Sequence, residues 1–414
     1  MNFRDQLRRK ILKTITSQWP DAGAAAVPVA VDYTPDEKFG DYSTSVAMKL
    51  APVLRRSPVE IAEQLKTAAG KISGIGEIRV VPPGFINFFI DSRWLQRQAA
   101  VILKAKQRYG RVDVGQGARV LVEFVSVNPT GPLHVGHGRG AFTGDVLVNV
   151  LKLAGYRAYR EYYVNDYGNQ VNILAESVLR KYWQHHGIRI EFPDYCYQGA
   201  YVDELAQTLY LPNYKFSNVQ KLEEVRDKIK GRILQKVLGG IRRLLERRLG
   251  IRYDRWFSER SLYSTGVVDR MLRLLKEQRL LYRSEGALWM KTTQFGDEKD
   301  RVVIKANGEP VYFLSDIAYH WDKLVRRKFV RAIDILGADH HGYVGRLQAA
   351  MAAVGAPRRL DIIIAQMVRL MSGGQELKMS KRSGTFVTLE ELVDEVGADA
   401  VRFFFLMYDA NTHM

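Results

Sequence analysis

Two histidines stand where the sequence predicts a strand, a loop and a helix in succession. His134 and His137 follow the apolar segment VLVEFV and the loop NPTGPL, which contains two prolines and a glycine. Because they are three positions apart, they share one helical face at the first turn, where imidazoles can donate to phosphate oxygens. The spacing favours a phosphate-binding site. The alternative is that both are ordinary histidines at a helix cap.

The predicted helix over 134–154 also carries four glycines, Gly136, Gly138, Gly140 and Gly144. Each glycine in a helix interior costs about 1 kcal/mol relative to alanine. A chain keeps such residues where its backbone must come very close to another group, and bare N–H groups at a helix start favour phosphate. The glycines therefore support binding of a nucleotide.

Part of this segment also matches a dinucleotide-binding pattern. Gly136, Gly138 and Ala141 satisfy G-x-G-x-x-A, and Glu161 follows at a spacing that suits a ribose contact. In that pattern the first glycine comes directly off the strand, whereas a longer loop precedes it here. A nicotinamide-dependent oxidoreductase is therefore the less favoured interpretation.

A second candidate phosphate-binding segment is KMSKRSGT, residues 378–385. It places three cations and three hydroxyl groups beside a glycine, between the hairpin-like MSGGQEL and the helical TLEELVDEV. By itself, a short basic loop is usually solvated surface. The segment becomes informative because it follows the histidine segment in the same chain.

In this order, HVGH and KMSK resemble the paired signatures of class I aminoacyl-tRNA synthetases. The segments VEFVSVNPTGPLHVGH, YDRWFSERSLY, LGADHHGY and MSKRSGTFVTL resemble arginyl-tRNA synthetase of bacterial type in particular. The resemblance covers essentially the whole chain. It implies that L-arginine is activated with ATP to arginyl-adenylate and then transferred to the 3′-terminal adenosine of tRNA(Arg).

The resemblance also implies roles for the signature residues. The histidines would bind ATP phosphates, the glycines would let adenine lie against the helix, and the lysines would stabilise the departing pyrophosphate. Mg²⁺ would be held mainly by the nucleotide, because no Asp-rich cluster is visible. The implied catalytic residues are His134, His137, Lys378 and Lys381. The implied ATP-binding residues are His134, Gly136, His137, Gly140, Met379, Ser380 and Lys381.

Binding of a guanidinium group requires carboxylates in a fixed geometry, because bidentate pairing separates arginine from lysine. Glu123 interrupts an apolar strand, which is costly unless the charge is paired. Asp316 lies in the first turn of a predicted helix, where a helix-stabilising charge is the alternative interpretation. By resemblance, the arginine-binding positions are Glu123, Asn128, Tyr312, Asp316 and His340.

From residue 118 the chain alternates strands with helices, which predicts an α/β fold with a parallel sheet and ligands at the carboxyl ends of the strands. The predicted strands cover 119–126, 156–163, 332–336 and 360–365, with a hairpin over 301–305 and 310–313. The predicted helices cover 134–154, 169–186, 315–327, 342–354, 389–396 and 398–408.

We therefore expect a Rossmann-like class I synthetase catalytic domain with a helical insertion, preceded by an amino-terminal α+β domain. The basic run of the insertion is either a solvated helix face or a surface that tracks phosphates. The predicted parts are an amino-terminal domain over 1–112 that by resemblance contacts tRNA, the two catalytic halves over 113–187 and 263–387, the insertion over 188–262 and a helical junction over 388–414.

Composition limits the class of protein. The chain has 414 residues and a net charge of +17, which points to a polyanionic partner. Its single cysteine, Cys196, excludes an internal disulfide and a cysteine-cluster zinc site. No segment has the length and apolar character of a membrane span or a signal peptide. We expect a cytoplasmic protein, without a membrane partner, that acts as a monomer.

This sequence departs from the family at two places, and one is the histidine motif, which reads HVGH with Gly138 following. The family continues after the KMSK helices into a helical anticodon-binding domain, whereas this sequence ends at Met414. A truncated tRNA-binding paralogue without ligase activity is therefore the second alternative. The presence of both signatures argues against it.

Overall fold

The computed structural model describes residues 3–20, 23–211, 221–366, 368, 370–372, 375–377, 386–409 and 412. The predicted phosphate-binding segment 378–385 lies outside these residues. The chain divides into two compact units, residues 1–112 and residues 113–414. Among the described helices, none combines the length and the apolar character that crossing a membrane requires.

The first unit packs helices against an antiparallel sheet. Leu7, Ile11 and Ile15 are four positions apart on the first helix and are buried in a core that includes Ile61 and Phe88. The helices are α1 (Phe3–Gln18), α2 (Val46–Leu54), α3 (Pro58–Ala69) and α4 (Ser92–Ala105). The strands are β1 (Asp32–Tyr33), β2 (Tyr42–Thr44), β3 (Ile75–Val81) and β4 (Phe85–Ile90), in the sheet order β1-β2-β4-β3.

The second unit contains the remaining described elements. The strands are β5 (Arg119–Glu123), β6 (Arg157–Val164), β7 (Arg255–Ser258), β8 (Leu281–Ser284), β9 (Ala287–Met290), β10 (Arg301–Ile304), β11 (Arg331–Gly337), β12 (Leu360–Ala365), β13 (Leu370–Ser372) and β14 (Gln375–Leu377). The helices are α5 (Gly136–Leu153), α6 (Asn169–His185), α7 (Ala200–Gln207), α8 (Leu222–Arg242), α9 (Arg260–Ser264), α10 (Val267–Glu277), α11 (Tyr312–Trp321), α12 (Val344–Ala353), α13 (Leu389–Val396) and α14 (Ala398–Leu406).

Five of these strands form a parallel sheet in the order β12-β11-β5-β6-β7, as the alternating pattern predicted. The chain passes from β5 to β6 and β7 on one side, and later to β11 and β12 on the other. The direction of the strand order therefore reverses at β5. In open α/β sheets, ligands bind in the crevice outside the carboxyl ends of the strands at such a point.

One strand of this sheet lies where the sequence analysis placed only an insertion. β7 falls within the predicted insertion 188–262, yet it pairs with β6 from Glu161 opposite Arg255 to Val164 opposite Ser258. The strand has four residues and follows a long helical run, so it is too short for a recognisable period. The insertion as predicted therefore contains an edge strand of the catalytic sheet.

The predicted hairpin over 301–305 and 310–313 is wrong in its second strand. β10 pairs with β9 instead, and only an isolated bridge joins Ile304 to Pro310. Helix α11 begins at Tyr312, because Phe313, Leu314 and Ile317 are buried together on its inner side. The burial of helically spaced apolar residues overrides the local turn signal.

Two glycines of α5 have different surroundings. A Cβ atom on Gly144 would lie 2.2 Å from Cγ of Phe124, whose side chain is fully buried. A Cβ atom on Gly140 would meet only Cγ2 of Ile335, at 4.0 Å. Close packing of α5 on the strand side of the unit thus requires Gly144, whereas no packing by the described residues explains Gly140.

We expect Gly144→Ala to lower the free energy of unfolding by about 1–3 kcal/mol, the cost of overpacking a filled core. Gly140→Ala is the matched control and should raise it by about 1 kcal/mol, the difference in helix propensity. Urea denaturation of both variants measures this. Equal changes in the two variants would contradict the packing role of Gly144.

Candidate active site

The loop after β5 is held in an unfavourable backbone conformation. Val125 has φ 71° and Ser126 has φ 41°, both in the left-handed region. A β-branched residue there is a genuine outlier, and each such residue costs on the order of 1–3 kcal/mol. The backbone N–H of Tyr163 on β6 donates to Oγ of Ser126 at 3.0 Å, which fixes the loop to the neighbouring strand. Strain of this kind concentrates at functional loops.

The two predicted phosphate-binding histidines are stacked on each other. The ring centroids of His134 and His137 are 3.5 Å apart, with 29° between the ring planes. The backbone N–H of His134 donates to Nδ1 of His137 at 3.1 Å. Because Nδ1 accepts this bond, the neutral ring carries its hydrogen on Nε2, the form that can donate to a phosphate oxygen. Part of the helix-cap alternative also holds, since His137 does contact the backbone at the helix start.

The chain that follows the KMSK segment is attached to the histidine loop. The N–H of Val135 donates to the carbonyl of Val387 at 3.1 Å, and the N–H of Leu389 donates to the carbonyl of Leu133 at 2.8 Å. His134 also forms a bridge with Thr388, whose hydroxyl caps α13. The residues directly after the basic segment therefore lie beside the histidines. The predicted residues Lys378, Met379, Ser380 and Lys381 themselves lie outside the described part of the chain.

The four predicted glycines of the nucleotide site do not share one role. Gly136 is the first residue of α5. A Cβ atom on Gly138 would lie 3.1 Å from both Leu389 and Phe405, so this glycine permits packing of α13 and α14. Gly144 permits packing on Phe124, as described above. The nucleotide interpretation is therefore supported for Gly140, where space remains.

The acid required by the dinucleotide alternative is engaged elsewhere. Glu161 is 1% exposed and receives two hydrogen bonds from the Arg327 guanidinium, at 2.5 and 2.7 Å. Tyr319 donates to the same carboxylate at 2.8 Å. A carboxylate held in this way cannot bind a ribose, so the oxidoreductase interpretation loses its main support.

Three carboxylates, here called the outer acids, lie in one part of the sheet edge. Asp166 follows β6, Glu259 follows β7 and Asp316 is the fifth residue of α11. Asp166 accepts from Oγ of Ser258 at 2.5 Å, and Tyr343 donates its hydroxyl to Oδ2 of Asp316. Among the described residues, no lysine, arginine or histidine forms an ion pair with any of the three. The cluster therefore has excess negative charge that a cationic ligand could neutralise.

Glu259 is an outer acid that the sequence analysis did not select. It is 2% exposed, and its buried Oε2 has no hydrogen-bond partner among the described residues. Burial, followed by the charges of Asp316 and Asp166, raises the pKa of Glu259 to about 8. Burial also raises the pKa of Asp316. A buried carboxyl group with a raised pKa in a crevice is a candidate for binding or catalysis.

A second group of charges, here called the inner cluster, consists of Glu123, His320, Lys323 and Asp334. Nζ of Lys323 donates to Glu123 and to both carboxylate oxygens of Asp334, the latter at 2.9 and 3.2 Å. The ligand atoms of Glu123, His320 and Asp334 lie within 4.8 Å of one another, a spacing that could hold a metal ion. The ammonium group of Lys323 contacts all three, so it takes the place of a cation there.

The other predicted arginine-binding residues are more exposed. Tyr312 is 69% exposed at the start of α11, and Asn128 is exposed in the loop after β5. His340 lies in the 3₁₀ turn after β11, with Nε2 3.5 Å from Asp339. The same turn supplies Tyr343, which is bonded to Asp316. The fold thus joins the segments of Asp316 and His340 through Tyr343.

The sequence of this chain is similar to those of known proteins. A family model described as tRNA synthetases class I (R), catalytic domain, matches residues 98–406, and one described as Arginyl tRNA synthetase N terminal domain matches residues 2–90. The arginine–tRNA ligase of Syntrophotalea carbinolica is 45% identical over 387 residues, which are 91% of this chain and 68% of that protein. The arginine–tRNA ligase of Geobacter sp. strain M21 is 44% identical over an alignment of 422 positions, which covers 100% of this chain and 75% of that protein.

The fold is similar to that of Thermus thermophilus arginyl-tRNA synthetase, with a TM-score of 0.71 at 22% identity, over 100% of this chain and 77% of that structure. The family models and the curated relatives confirm the predicted resemblance to arginyl-tRNA synthetases. The chain belongs to the arginyl-tRNA synthetases, a family of class I aminoacyl-tRNA synthetases.

Proposed function

We propose that this chain is an arginine–tRNA ligase, which converts L-arginine and ATP to arginyl-adenylate and pyrophosphate and then transfers arginine to the 3′-terminal adenosine of tRNA(Arg). The observation that carries the choice of amino acid is the outer acids, which have no described cationic partner. A guanidinium group supplies a permanent positive charge and five N–H donors. Its charge and shape match what this cluster lacks.

Asp316 and Glu259 are the carboxylates that we assign to the guanidinium group. Tyr343 occupies Oδ2 of Asp316, which leaves Oδ1 to accept from substrate, and Oε2 of Glu259 has no described partner. Two fixed carboxylates can accept several parallel N–H bonds from a planar guanidinium, whereas the compact ammonium group of lysine cannot reach both in the same way. Selectivity for arginine follows from this difference.

The α-amino end of the substrate is assigned to the loop after β5. Lys323 occupies Oε2 of Glu123, so Oε1 is the atom that can accept from the substrate ammonium group. The exposed Asn128 is assigned to the carboxylate end, and Tyr312 and His340 border the substrate from α11 and the turn after β11. These assignments rest on the family resemblance and on the location of each residue at the carboxyl edge of the sheet.

The nucleotide is assigned to the start of α5. Nε2–H of His137 can donate to a phosphate oxygen, and His134 lies stacked beside it. Gly136 begins the helix, and the described residues leave space at Gly140 for the adenosine. Lys378 and Lys381, with Met379 and Ser380, are assigned to the pyrophosphate by resemblance. Support comes from Val387 and Thr388, which follow this segment and bond to the histidine loop. Mg²⁺ held mainly by the nucleotide would neutralise further phosphate charge.

In the first step, an oxygen of the arginine carboxylate attacks the α-phosphorus of ATP, and the bond from that phosphorus to the bridging oxygen breaks as pyrophosphate leaves. In the second step, a ribose hydroxyl of tRNA attacks the carbonyl carbon of the adenylate, and AMP leaves. The protein contributes mainly positioning and neutralisation of charge in such reactions. The histidines and lysines act where negative charge develops.

The direct test is exchange of labelled pyrophosphate into ATP. We expect exchange that requires arginine, that lysine and citrulline do not support, and that increases when tRNA(Arg) is added. Asp316→Asn should weaken arginine by about 1.5–3 kcal/mol, the worth of a charge-assisted hydrogen bond, with ATP affinity retained. RNA binding without exchange would instead support the non-catalytic paralogue.

The raised pKa of Glu259 predicts a coupling between arginine binding and proton release. Without arginine, the pKa of the Glu259 carboxyl group is about 8 instead of its ordinary 4.5, so the group stays protonated over the pH range between these values. A bound guanidinium favours the ionised form. Arginine affinity should therefore increase with pH up to about 8 and be level above it. Calorimetry in buffers of different ionisation enthalpy measures the released proton. The control variant Glu259→Gln should release fewer protons than the wild-type chain, with the remainder coming from Asp316, whose pKa is also raised. Undiminished proton release in this variant would contradict the assignment.

The RNA partner is supported by a stripe of cations on α8 and the turn that follows it. Arg232, Lys236, Arg243 and Arg247 are exposed and lie 4, 7 and 4 positions apart, which places them on one helical face. None forms an ion pair with a described acid, whereas Lys228 and Lys230 on the same helix pair with Glu224 and Asp227. The stripe spans about 22 Å at the rise of an α-helix.

We expect this stripe to contact tRNA phosphates. Replacing Arg232 and Lys236 by glutamine should weaken tRNA binding and reduce the slope of log K against log salt by about 1.4–1.8, because two phosphate contacts are lost. Lys228→Gln with Lys230→Gln is the matched control, with the same loss of charge from paired lysines. Fluorescence titration at several salt concentrations gives the slopes. An equal change in both double variants would show that only net charge matters.

A further inference from the structure

The inner cluster is a closed group of buried charges beneath the crevice. Glu123 ends β5, and Asp334 lies directly opposite it on β11. Lys323 is 0% exposed, and the other three members are between 2% and 6% exposed. Taking charges out of water is costly unless each one is paired and hydrogen-bonded. The cluster meets this condition through the contacts of a single ammonium group.

The ring of His320 is held at both of its nitrogens. Nδ1 lies 2.7 Å from the backbone carbonyl of Asp316, and Nε2 lies 2.6 Å from Oδ2 of Asp334. Burial opposes the charge of Asp334, but Lys323 and His320 outweigh it and lower its pKa to about 2. The carboxylates of Glu123 and Asp334 thus share the ammonium group of Lys323, and Asp334 also contacts the ring of His320.

Glu123 depends on this arrangement for its charge. Burial raises the pKa of Glu123, and the ammonium group of Lys323 is the strongest influence in the opposite direction. Removing that ammonium group would leave Glu123 to take up a proton or to remain as an unpaired buried charge. Either result would alter the carboxylate that borders the proposed arginine site.

The inner cluster also determines where the outer acids lie. Asp316, His320 and Lys323 are at positions i, i+4 and i+7, which places them on one face of α11 and the turn that continues it. Since His320 and Lys323 bind this face to Asp334 and Glu123, the rotation of α11 is fixed relative to β5 and β11. Asp316 is carried on the same rigid face.

We propose that Lys323 is a positioning residue of the arginine site, which orients Glu123, fixes α11 and neutralises the inner carboxylates so that the outer acids alone attract the substrate guanidinium. The inference rests on the proposed function and assigns to it a residue that does not touch the substrate. In the absence of the ammonium group, Glu123, His320 and Asp334 would form a competing cation site with metal-ligand spacing.

The test uses Lys323→Met, which removes the charge and nearly keeps the length of the side chain. We expect arginine affinity to fall by about tenfold or more, the effect of losing a charged partner, while ATP affinity changes less than about twofold. The variant should also bind Mn²⁺ tightly where the wild-type chain does not, which electron paramagnetic resonance detects. Lys181→Met is the control, because Lys181 is ion-paired with Asp203 on α6 and α7 but is partly exposed.

A second variant separates charge balance from packing. Asp334→Asn combined with Lys323→Met removes one carboxylate together with the ammonium group and leaves His320 in place. It should regain much of the melting temperature that Lys323→Met loses, and it should no longer bind Mn²⁺. A packing role would not be repaired by a second substitution, so the absence of any rescue would overturn the proposal.

Two further outcomes are distinguishable. Unchanged arginine affinity in Lys323→Met would overturn the positioning role. If the wild-type chain itself failed to bind arginine, the proposed function would fail, while the Mn²⁺ and melting measurements would still test the charge balance of the inner cluster.

Discussion

The ammonium group of Lys323, enclosed between carboxylates of two neighbouring parallel strands, is the interaction on which the geometry of this site depends. It joins Glu123 at the end of β5 to Asp334 on β11, at the point where the strand order reverses. Removing one partner from a buried ion pair typically costs about 3–5 kcal/mol, because the other charge remains in a medium of low polarity. The two strands and α11 are therefore held in one arrangement by charges that cannot be separated cheaply.

The contrast between the two groups of charge explains how one crevice can be both stable and selective. The inner cluster supports the fold and does not attract the guanidinium group. The outer acids carry excess negative charge. Burial raises the pKa of Glu259 to about 8, which reflects the free-energy cost of holding ionised carboxylates close together. Local rules of protein stability are violated at functional sites, where a ligand supplies what is missing. A permanent cation with planar donors is what this cluster lacks.

The nucleotide side of the crevice shows a similar division between structural and functional demands. Gly138 and Gly144 bring α5 close to α13, α14 and Phe124, while Gly140 faces open space. The left-handed conformations of Val125 and Ser126 turn the chain sharply after β5 and are tolerated because Ser126 is bonded to β6. The histidine loop is consequently fixed on one side by the sheet and on the other by residues 387–389. Such a rigid support suits a reaction that depends on positioning.

Local patterns were sufficient to predict the family, the parallel α/β class and most long elements, because HVGH, KMSK and the alternation of strands with helices can be recognised in the sequence; β12, for example, has the predicted bounds 360–365. The sequence also marked Glu123 as costly within an apolar strand. The partner of Glu123 is visible only in the folded chain, since Lys323 lies 200 residues away in a segment, WDKLVRRK, that has the composition of a surface helix. Glu259 was missed for the same reason: its burial and its raised pKa arise from β7, α11 and Asp166, which meet only in the folded chain. Composition and period are properties of neighbours in sequence, whereas desolvation and charge pairing are properties of neighbours in space.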